Sequence, residues 1–220
     1  MRSGATGRQS LVCIISQVDL LLLFPHRFGS PEAYSVVEAA HDTIQILRDH
    51  GIIVGIVTNS DERYQDSILP MLGLDFDFAI CSRGVGVPKP STLLFSHAFD
   101  AANELYMSKM RYELGIATPP TEEESLGLGK SNAMGNADIP QLTPNQCVHI
   151  GNDYSKDIRP AGDCGWNAIF VSNMPITEEL TGLGLPSKKA YRCGEMVDVF
   201  HWIAESLGVE LEAPEEHEQL

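Results

Sequence analysis

Residues 147–157 have the sequence CVHIGNDYSKD, and residues 161–171 continue as AGDCGWNAIFV. The apolar run at 147–150 ends at the turn residues Gly151 and Asn152, a pattern that predicts a buried parallel strand. Asp153 and Asp157 follow, four residues apart, beyond the carboxyl end of this strand. Open α/β sheets bind their ligands at that end of their strands. The stretch therefore predicts an α/β fold with a candidate site directly after residue 150.

Two interpretations of this acidic pair are open. If a helix begins at Ser155, the carboxylates of Asp153 and Asp157 lie at its entry side, where they could converge on a hard divalent ion such as Mg²⁺. Alternatively, Asp153 caps the helix and Asp157 interacts with the helix dipole, as acidic residues in a first turn often do. The local pattern alone favours the capping interpretation.

Length and composition limit the class of protein. A chain of 220 residues with 43% hydrophobic content can bury one sizeable core, so we expect a single domain. The net charge is -15, with no compensating basic patch, which argues against nucleic-acid or membrane binding. The 5 cysteines are widely spaced and lie mostly in apolar runs, so neither a disulfide framework nor a metal knuckle is indicated. These features predict a reducing intracellular location, cytoplasmic or nuclear.

Apolar strand patterns alternate with helical patterns along the chain. The predicted strands are Leu11–Ile15, Ile52–Val57, Phe76–Cys81, Cys147–Ile150 and Asn167–Val171. The predicted helices are Pro31–His50, Glu62–Leu72, Ser91–Met110 and Gly194–Leu207. The expected buried side of the third helix is Leu93, Leu94, Phe95, Ala98, Phe99 and Ala102. This alternation predicts a Rossmann-like, doubly wound parallel sheet, because parallel strands need helical crossovers.

The domain organisation follows from the same patterns. Residues 1–30 form a divergent amino-terminal segment that holds the possible first strand, and Asp19 inside its apolar run argues against a signal peptide. Residues 31–209 form the α/β core. Within it, residues 115–146 lack periodicity and are expected to be a flexible insertion. Residues 210–220 form an acidic tail.

Two further loops carry polar residues that suit a phosphorylated ligand. Thr58, Asn59 and Ser60 follow the second strand, where hydroxyls and exposed backbone can bind a phosphate oxygen, although the same residues are ordinary turn formers. Lys89 lies between Pro88 and Pro90. A lysine between two prolines loses conformational freedom, which suits a charge that must occupy a fixed place. A solvated lysine in a rigid loop is the alternative.

Taken together, the three loops resemble motifs two, three and four of the haloacid dehalogenase superfamily in order, spacing and placement at strand ends. The resemblance covers about residues 31–171 without the insertion, and residues 39–95 most resemble the group of haloacid dehalogenase-like hydrolase domain-containing protein 3. It implies that phosphoryl oxygens are bound by Thr58, Asn59, Ser60 and Lys89. It implies that Mg²⁺ is bound by Asp153, Asp157 and Asn152, where Asn152 occupies a place often filled by aspartate. Catalysis of this kind proceeds mainly by positioning and charge neutralisation.

The first motif of the superfamily, Asp-x-Asp-x-Thr, is degenerate in this chain. Gln17 stands where the resemblance places the nucleophilic aspartate, and Leu21 stands where it places the threonine. Only Asp19, which would be the general acid and base, is retained. The short separation of Asp19 from Thr58 also leaves no room for the helical cap domain usual in this subgroup. The chain resembles a member whose amino-terminal portion has been replaced or lost.

Two classes of function are compatible with these residues. The first is a Mg²⁺-dependent phosphomonoesterase that acts on a small phosphorylated substrate, with activity reduced by the loss of the nucleophile. The second is a non-catalytic relative, either a pseudoenzyme or a truncated isoform, that binds a phosphorylated ligand or a protein partner. An aspartate at position 17 would favour the first class, and Gln17 stands there instead.

Overall fold

The computed structural model of the chain describes residues 12–15, 36, 40–115, 141–171, 190–193, 199 and 201–203. These residues form one parallel sheet with helices packed on both faces. The strands are β1 Val12–Ile15, β2 Ile53–Thr58, β3 Phe78–Cys81, β4 Cys147–Gly151, β5 Asn167–Val171 and β6 Ala190–Cys193. The predicted α/β class is therefore confirmed.

The strand order is β3-β2-β1-β4-β5-β6, and every neighbouring pair is parallel. This is the order of a doubly wound Rossmann fold. The chain runs from β1 to β2 on one side and later returns to β4 on the other side, so the order reverses between β1 and β4. Doubly wound sheets bind their ligands outside the carboxyl ends of the strands at such a reversal.

The strand predictions are confirmed to within two residues, except that β6 was not predicted. Residues 172–193 have a turn-rich sequence, and β6 contributes only the four residues AYRC. Arg192 interrupts that short run, so it lacks the continuous apolar pattern that marks a buried strand. Its pairing with β5 at the sheet edge is a tertiary feature that local pattern does not reveal.

Most of the described helices lie where helices are predicted, but their first and last residues differ from the predicted ones. They are α1 Ala40–Asp49, α2 Leu69–Met71, α3 Ser82–Val85, α4 Thr92–Glu113 and α5 Arg159–Asp163. The π-helical turns Tyr64–Ile68 and Tyr154–Ile158 lead into α2 and α5, and helical residues recur at 199 and 201–203. No helix in the described ranges is both long and apolar enough to cross a membrane. Most of residues 31–39 lies outside the described part, so the predicted start of the first helix stays a prediction.

Two apolar clusters enclose the sheet, one on each face. Val54 and Ile56 of β2 face one cluster together with Leu47 of α1, whereas Ile53 and Val57 face the other. This alternation is the period-two pattern of a strand that is buried on both faces. The second cluster is built mainly on α4 and α5.

One residue of the predicted buried side of α4 is exposed. Leu93 has 50% of its surface accessible to solvent, whereas Leu94 and Phe95 are fully buried. Leu94, Ala98 and Ala102 repeat every four residues and face the sheet together. Leu93 lies about 100° around the helix from Leu94, which places it outside this stripe.

The end of the predicted flexible insertion packs on the core. Leu142 is 4% exposed and belongs to the second apolar cluster. Its backbone N–H donates to Asn103 Oδ1 at 3.0 Å, and residues Pro144–Gln146 form a 3₁₀ turn before β4. Residues 116–140 lie outside the described residues, so the expected flexibility of that part stays a prediction.

Candidate functional site

Lys89 lies at the carboxyl edge of the sheet and is 6% exposed. Its Nζ lies 2.9 Å from Asp157 Oδ1 and donates to the Val57 carbonyl oxygen at 3.2 Å. Val57 belongs to β2, and Asp157 follows β4. The ammonium group therefore links the ends of two strands that β1 separates in the sheet.

Asn59 fixes the backbone of the lysine loop. Its Oδ1 accepts from the Lys89 backbone N–H at 2.7 Å, and its Nδ2 donates to the Lys89 carbonyl oxygen at 3.2 Å. Pro88 and Pro90 flank the lysine, and the Lys89–Pro90 peptide bond is cis. Both backbone polar groups of Lys89 are thus paired with one side chain, which supports the prediction that the loop holds this charge in a fixed place.

Burial lowers the pKa of Lys89, and the attraction of the Asp157 carboxylate opposes this shift. Desolvation disfavours a charged ammonium, and a neighbouring carboxylate favours it. The side chains of Lys89 and Asp157 are 5% and 3% exposed, respectively, so neither charge is screened by bulk water. Each of the two buried charges is therefore stabilised by the opposite charge of the other.

Asp157 occupies space that a glycine leaves open. A Cβ atom on Gly151 would lie 2.5 Å from the Asp157 Cβ and 2.6 Å from its Oδ2, so a side chain at position 151 is not compatible with this placement. The Asp157 Oδ2 accepts a hydrogen bond from the Asp153 backbone N–H at 3.1 Å. Gly151 at the end of β4 thereby allows the carboxylate to lie against the strand.

The Asp153 carboxylate caps the following helical turn. It accepts hydrogen bonds from the Lys156 backbone N–H at 3.0 Å and from Ser155 Oγ at 2.8 Å, and the Lys156 Nζ lies 2.7 Å away. Partial burial raises the pKa of Asp153, but these hydrogen bonds outweigh burial and lower it overall. The capping interpretation thus describes the Asp153 side chain, whereas Asp157 pairs with a lysine in a different loop.

The carboxylates of Asp153 and Asp157 are the candidate ligands for Mg²⁺. Asp153 and Asp157 supply the oxygen ligands that Mg²⁺ prefers, and Mg²⁺ commonly uses one or two carboxylates with water and substrate phosphate. Each carboxylate already contacts a lysine ammonium. The part of the chain that the structure describes contains no group of three or more His, Cys, Asp or Glu side chains suited to a metal. The donors fit Mg²⁺ in kind, but they are few and partly neutralised.

The remaining predicted residues differ in burial and in contacts. Thr58 ends β2 and is half-buried, and the Ser60 hydroxyl contacts the Cys81 Sγ at 3.8 Å rather than Lys89. Asn152 is exposed in the loop after β4. Asp19 and Gln17 lie outside the described residues, so their placement stays a prediction. The described contacts unite Asn59, Lys89, Asp157 and the Asp153 backbone.

β1 ends at the edge of the sheet where Lys89 and Asp157 meet. β1 lies between β2 and β4 and is parallel to both, so the chain leaves it at the same edge where Lys89 and Asp157 meet. Ile15 is its last residue, two positions before Gln17. Gln17 itself lies outside the described residues, so its alignment with the nucleophile position of the superfamily stays a prediction.

Sequence reasoning missed His149, which lies directly beneath the site. It is fully buried, and its Nε2 is 3.8 Å from the Asp157 Oδ1. The available signal was a single histidine in an otherwise apolar strand, two residues before Gly151 on the same strand face. Lys156, the partner of Asp153, was also missed because a lysine in a first helical turn is usually solvated.

Comparison with known proteins identifies the family. A family model described as haloacid dehalogenase-like hydrolase matches residues 26–165, more than half of the chain. The chain belongs to this family. A bovine protein, haloacid dehalogenase-like hydrolase domain-containing protein 3, is 38% identical over 147 residues, which are 66% of this chain and 43% of the relative. The human protein of the same name is 35% identical over 34% of this chain and 31% of its own length. The chain thus spans less than half the length of these relatives.

Solved structures show the same fold at low sequence identity. A HAD phosphatase from Thermococcus onnurineus is 21% identical with a TM-score of 0.51, and the match covers 83% of this chain and 62% of that one. The D,D-heptose 1.7-bisphosphate phosphatase of B. bronchiseptica, solved with magnesium and phosphate, is 13% identical with a TM-score of 0.51. That match covers 90% of this chain and 99% of the phosphatase. Both support the Rossmann-like assignment.

Proposed function

We propose that this haloacid dehalogenase-like chain binds the phosphoryl group of a small phosphorylated compound at the carboxyl edge of its sheet and hydrolyses it slowly or not at all. The observation that carries the proposal is the buried ammonium of Lys89, which lies between the ends of β2 and β4. A buried cation at the point where the strand order reverses suits an anionic ligand.

Lys89 supplies the positive charge in this proposal, and Asn59 and the two prolines hold it in place. Thr58, Asn59 and Ser60 follow the neighbouring strand, where hydroxyl, amide and backbone donors can bind phosphoryl oxygens. A phosphoryl group carries its charge on its outer oxygens, so a fixed ammonium with flanking neutral donors stabilises it. This arrangement binds the ligand without the need for a covalent step.

Mg²⁺ would be held by Asp153, Asp157 and Asn152, and we expect it to bind weakly. When bound, the ion supplies charge neutralisation at the phosphoryl oxygens. Lys156 and Lys89 compete with it for the two carboxylates. A cation that must displace an ammonium from each carboxylate loses part of its electrostatic gain.

The proposed low turnover follows from Gln17. Covalent hydrolysis needs a carboxylate in line with phosphorus, and a glutamine amide cannot form an acyl phosphate. Asp19 could still serve as an acid or base, but it does not replace the nucleophile. Loss of a covalent nucleophile commonly lowers the rate by several powers of ten, with residual activity due to binding and electrostatics.

Hydrolysis of p-nitrophenyl phosphate by the purified chain, with and without Mg²⁺, tests this proposal. We expect little or no turnover by the unmodified chain and partial recovery in Gln17→Asp, since Leu21 and the absent cap are not restored. Gln17→Asn is the matched control, because it has the same backbone position but no carboxylate. Robust Mg²⁺-dependent turnover by the unmodified chain, abolished in Asp153→Ala, would show that another carboxylate is the nucleophile.

The second candidate function is a non-catalytic binding role, and the residue at position 17 favours it. In that case the same site binds a phosphorylated ligand as a stable complex, and a protein partner is a further option. Saturable phosphate binding in the absence of turnover would support this candidate. Turnover restored by Gln17→Asp with unchanged phosphate affinity would show that the binding site is intact and that only the chemical step was lost.

A further inference from the structure

His149 is enclosed by aromatic side chains inside the second apolar cluster. Its ring centroid lies 5.0 Å from that of Phe95 in an edge-to-face arrangement and 6.4 Å from that of Trp166. The side chain is 0% exposed. An imidazole in such a place contributes apolar contacts, yet it also buries two polar nitrogen atoms.

Within the part of the chain that the structure describes, neither His149 Nδ1 nor His149 Nε2 has a hydrogen-bond partner. A buried polar group without a partner costs about 1–3 kcal/mol, so phenylalanine would satisfy packing alone at lower cost. Most buried polar groups in folded proteins are hydrogen-bonded, and an exception needs a physical explanation. The surroundings of the ring supply one.

The Asp157 Oδ1 lies between two potential donors. It is 2.9 Å from the Lys89 Nζ and 3.8 Å from the His149 Nε2. The first distance is that of a close ion pair, and the second exceeds the usual hydrogen-bond limit of about 3.2 Å. A Cβ atom at Gly151 would meet the Asp157 side chain, so the glycine lets this carboxylate lie close to β4, the strand that carries His149. A movement of about 1 Å would bring the Asp157 oxygen within hydrogen-bond distance of His149.

We propose that His149 is a positioning residue that donates a hydrogen bond to Asp157 when Lys89 directs its ammonium toward a bound phosphoryl group. The inference rests on the proposed function, since it is the ligand that draws Lys89 from its carboxylate. In the free protein the ammonium of Lys89 neutralises the negative charge of Asp157. In the complex a hydrogen bond from His149 takes over part of this stabilisation.

The physical need for this second donor arises from burial. A carboxylate that is 3% exposed cannot recover water when its ammonium partner moves, and an uncompensated buried charge is strongly unfavourable. Burial lowers the pKa of His149, the Asp157 carboxylate opposes this shift, and the nearby Lys89 charge adds to it. An imidazole needs no charge to act as a donor, because its neutral form carries one N–H. A neutral donor can stabilise Asp157 without adding a second buried cation beside Lys89.

Titration of the purified chain with inorganic phosphate, followed by calorimetry, tests the ligand-dependent half of the inference. We expect His149→Phe to fill the aromatic site and to weaken phosphate affinity by about tenfold, the effect of one hydrogen bond to a charged group. His149→Gln retains an N–H near the Nε2 position and should recover most of the affinity. Phe95→Leu alters the same aromatic pocket without removing a donor, and it should leave phosphate affinity within about twofold.

A ligand-free double-mutant cycle separates this inference from the proposed function. In the wild-type background, His149→Phe should leave the melting temperature unchanged or raise it, because an unpaired polar group is removed. In the Lys89→Met background it should lower the melting temperature, because His149 then becomes a donor to the Asp157 Oδ1. Equal shifts in both backgrounds would overturn the inference even if phosphate binds.

Failure of the inference on His149 and failure of the proposed function give different experimental results. If the wild-type chain binds phosphate through Lys89 and His149→Phe binds it equally well, the inference is wrong and the proposed function stands. If wild-type and Lys89→Met chains both fail to bind phosphate, the proposed function is wrong. In that case the stability cycle still shows whether His149 and Lys89 are coupled through Asp157.

Discussion

Lys89 and Asp157 form a buried ion pair with 2.9 Å between Nζ and Oδ1, and this pair joins the lysine loop after β3 to the loop after β4. Removing one partner of a buried pair commonly costs about 3–5 kcal/mol, because the other charge remains uncompensated. The pair therefore contributes to the fold and also defines the site.

Gly151→Ala should displace Asp157 from Lys89. The new Cβ would lie 2.5 Å from the Asp157 Cβ, so the loop must move or the strand end must shift. Such overpacking typically costs about 1–3 kcal/mol, and we expect this loss in urea unfolding together with weaker phosphate binding. Gly84→Ala is the control, because its nearest contact is the end of the Glu62 side chain at 3.3 Å and that chain can move. Equal stability of the two variants would show that Asp157 does not need the space over Gly151.

Asp77→Ala should weaken the start of β2 without affecting the site. Asp77 Oδ2 accepts from the Val54 backbone N–H at 2.8 Å, and the Asp77 backbone N–H donates to the Val54 carbonyl oxygen at 2.8 Å. The side chain also pairs with Arg48. Loss of the acceptor leaves a buried N–H and should cost about 1–3 kcal/mol in chemical unfolding.

Asp77→Asn retains an oxygen acceptor for the Val54 N–H and loses only the negative charge that pairs with Arg48. It should therefore destabilise the chain less than Asp77→Ala. The pairing of Arg48 is partly exposed and contributes little by comparison. If the asparagine variant is as unstable as the alanine variant, the ion pair rather than the backbone hydrogen bond stabilises this corner.

Leu142→Ala should destabilise the chain by about 2–5 kcal/mol, since it removes a fully packed side chain from the second apolar cluster. Leu126 lies in the part of the predicted insertion outside the described residues, and Leu126→Ala should change stability by less than about 0.5 kcal/mol. Thermal unfolding of the two variants therefore measures where the insertion ends. A comparable loss in Leu126→Ala would mean that residues 116–140 also contribute to a core.

Cys147 should resist alkylation in the native protein. It is fully buried in β4, and burial raises the pKa of its thiol to about 12. The reactive form is the thiolate, which is scarce at pH 8 for such a group. Mass spectrometry after iodoacetamide treatment should find this cysteine unmodified without denaturant and modified in urea. Rapid native labelling would show that β4 opens frequently.

Much of the fold could be predicted from the sequence because its strands are short, apolar and bounded by turn residues. Parallel strands buried on both faces have this pattern, and it placed β2, β4 and β5 correctly to within a residue or two. β6 could not be predicted, because a short edge strand containing Arg192 depends on its pairing with β5 rather than on local pattern. The exposure of Leu93 depends on the rotation of α4 against the sheet, which composition alone does not fix.

The sequence predicted which residues form the site better than it predicted which of them contact each other. The sequence indicated that Lys89, Asp153 and Asp157 belong to one region, since all three follow strand ends. It did not indicate that Asp153 pairs with Lys156 while Asp157 pairs with Lys89, because both carboxylates lie in one short loop and differ only in side-chain direction. His149 was missed because its closeness to Asp157 depends on the absence of a side chain at Gly151.

The central claim is that Lys89 is the cation of a phosphoryl-binding site. Isothermal titration of inorganic phosphate into the wild-type chain and into Lys89→Met, each with Mg²⁺ present and after chelation, tests it most directly. Lys89→Arg, which retains the charge, accompanies them as a control for the loss of packing. We expect saturable binding by the wild-type chain that persists at reduced affinity after chelation and is lost in Lys89→Met. Equal phosphate binding by the wild-type and Lys89→Met chains, both still folded, would contradict the account.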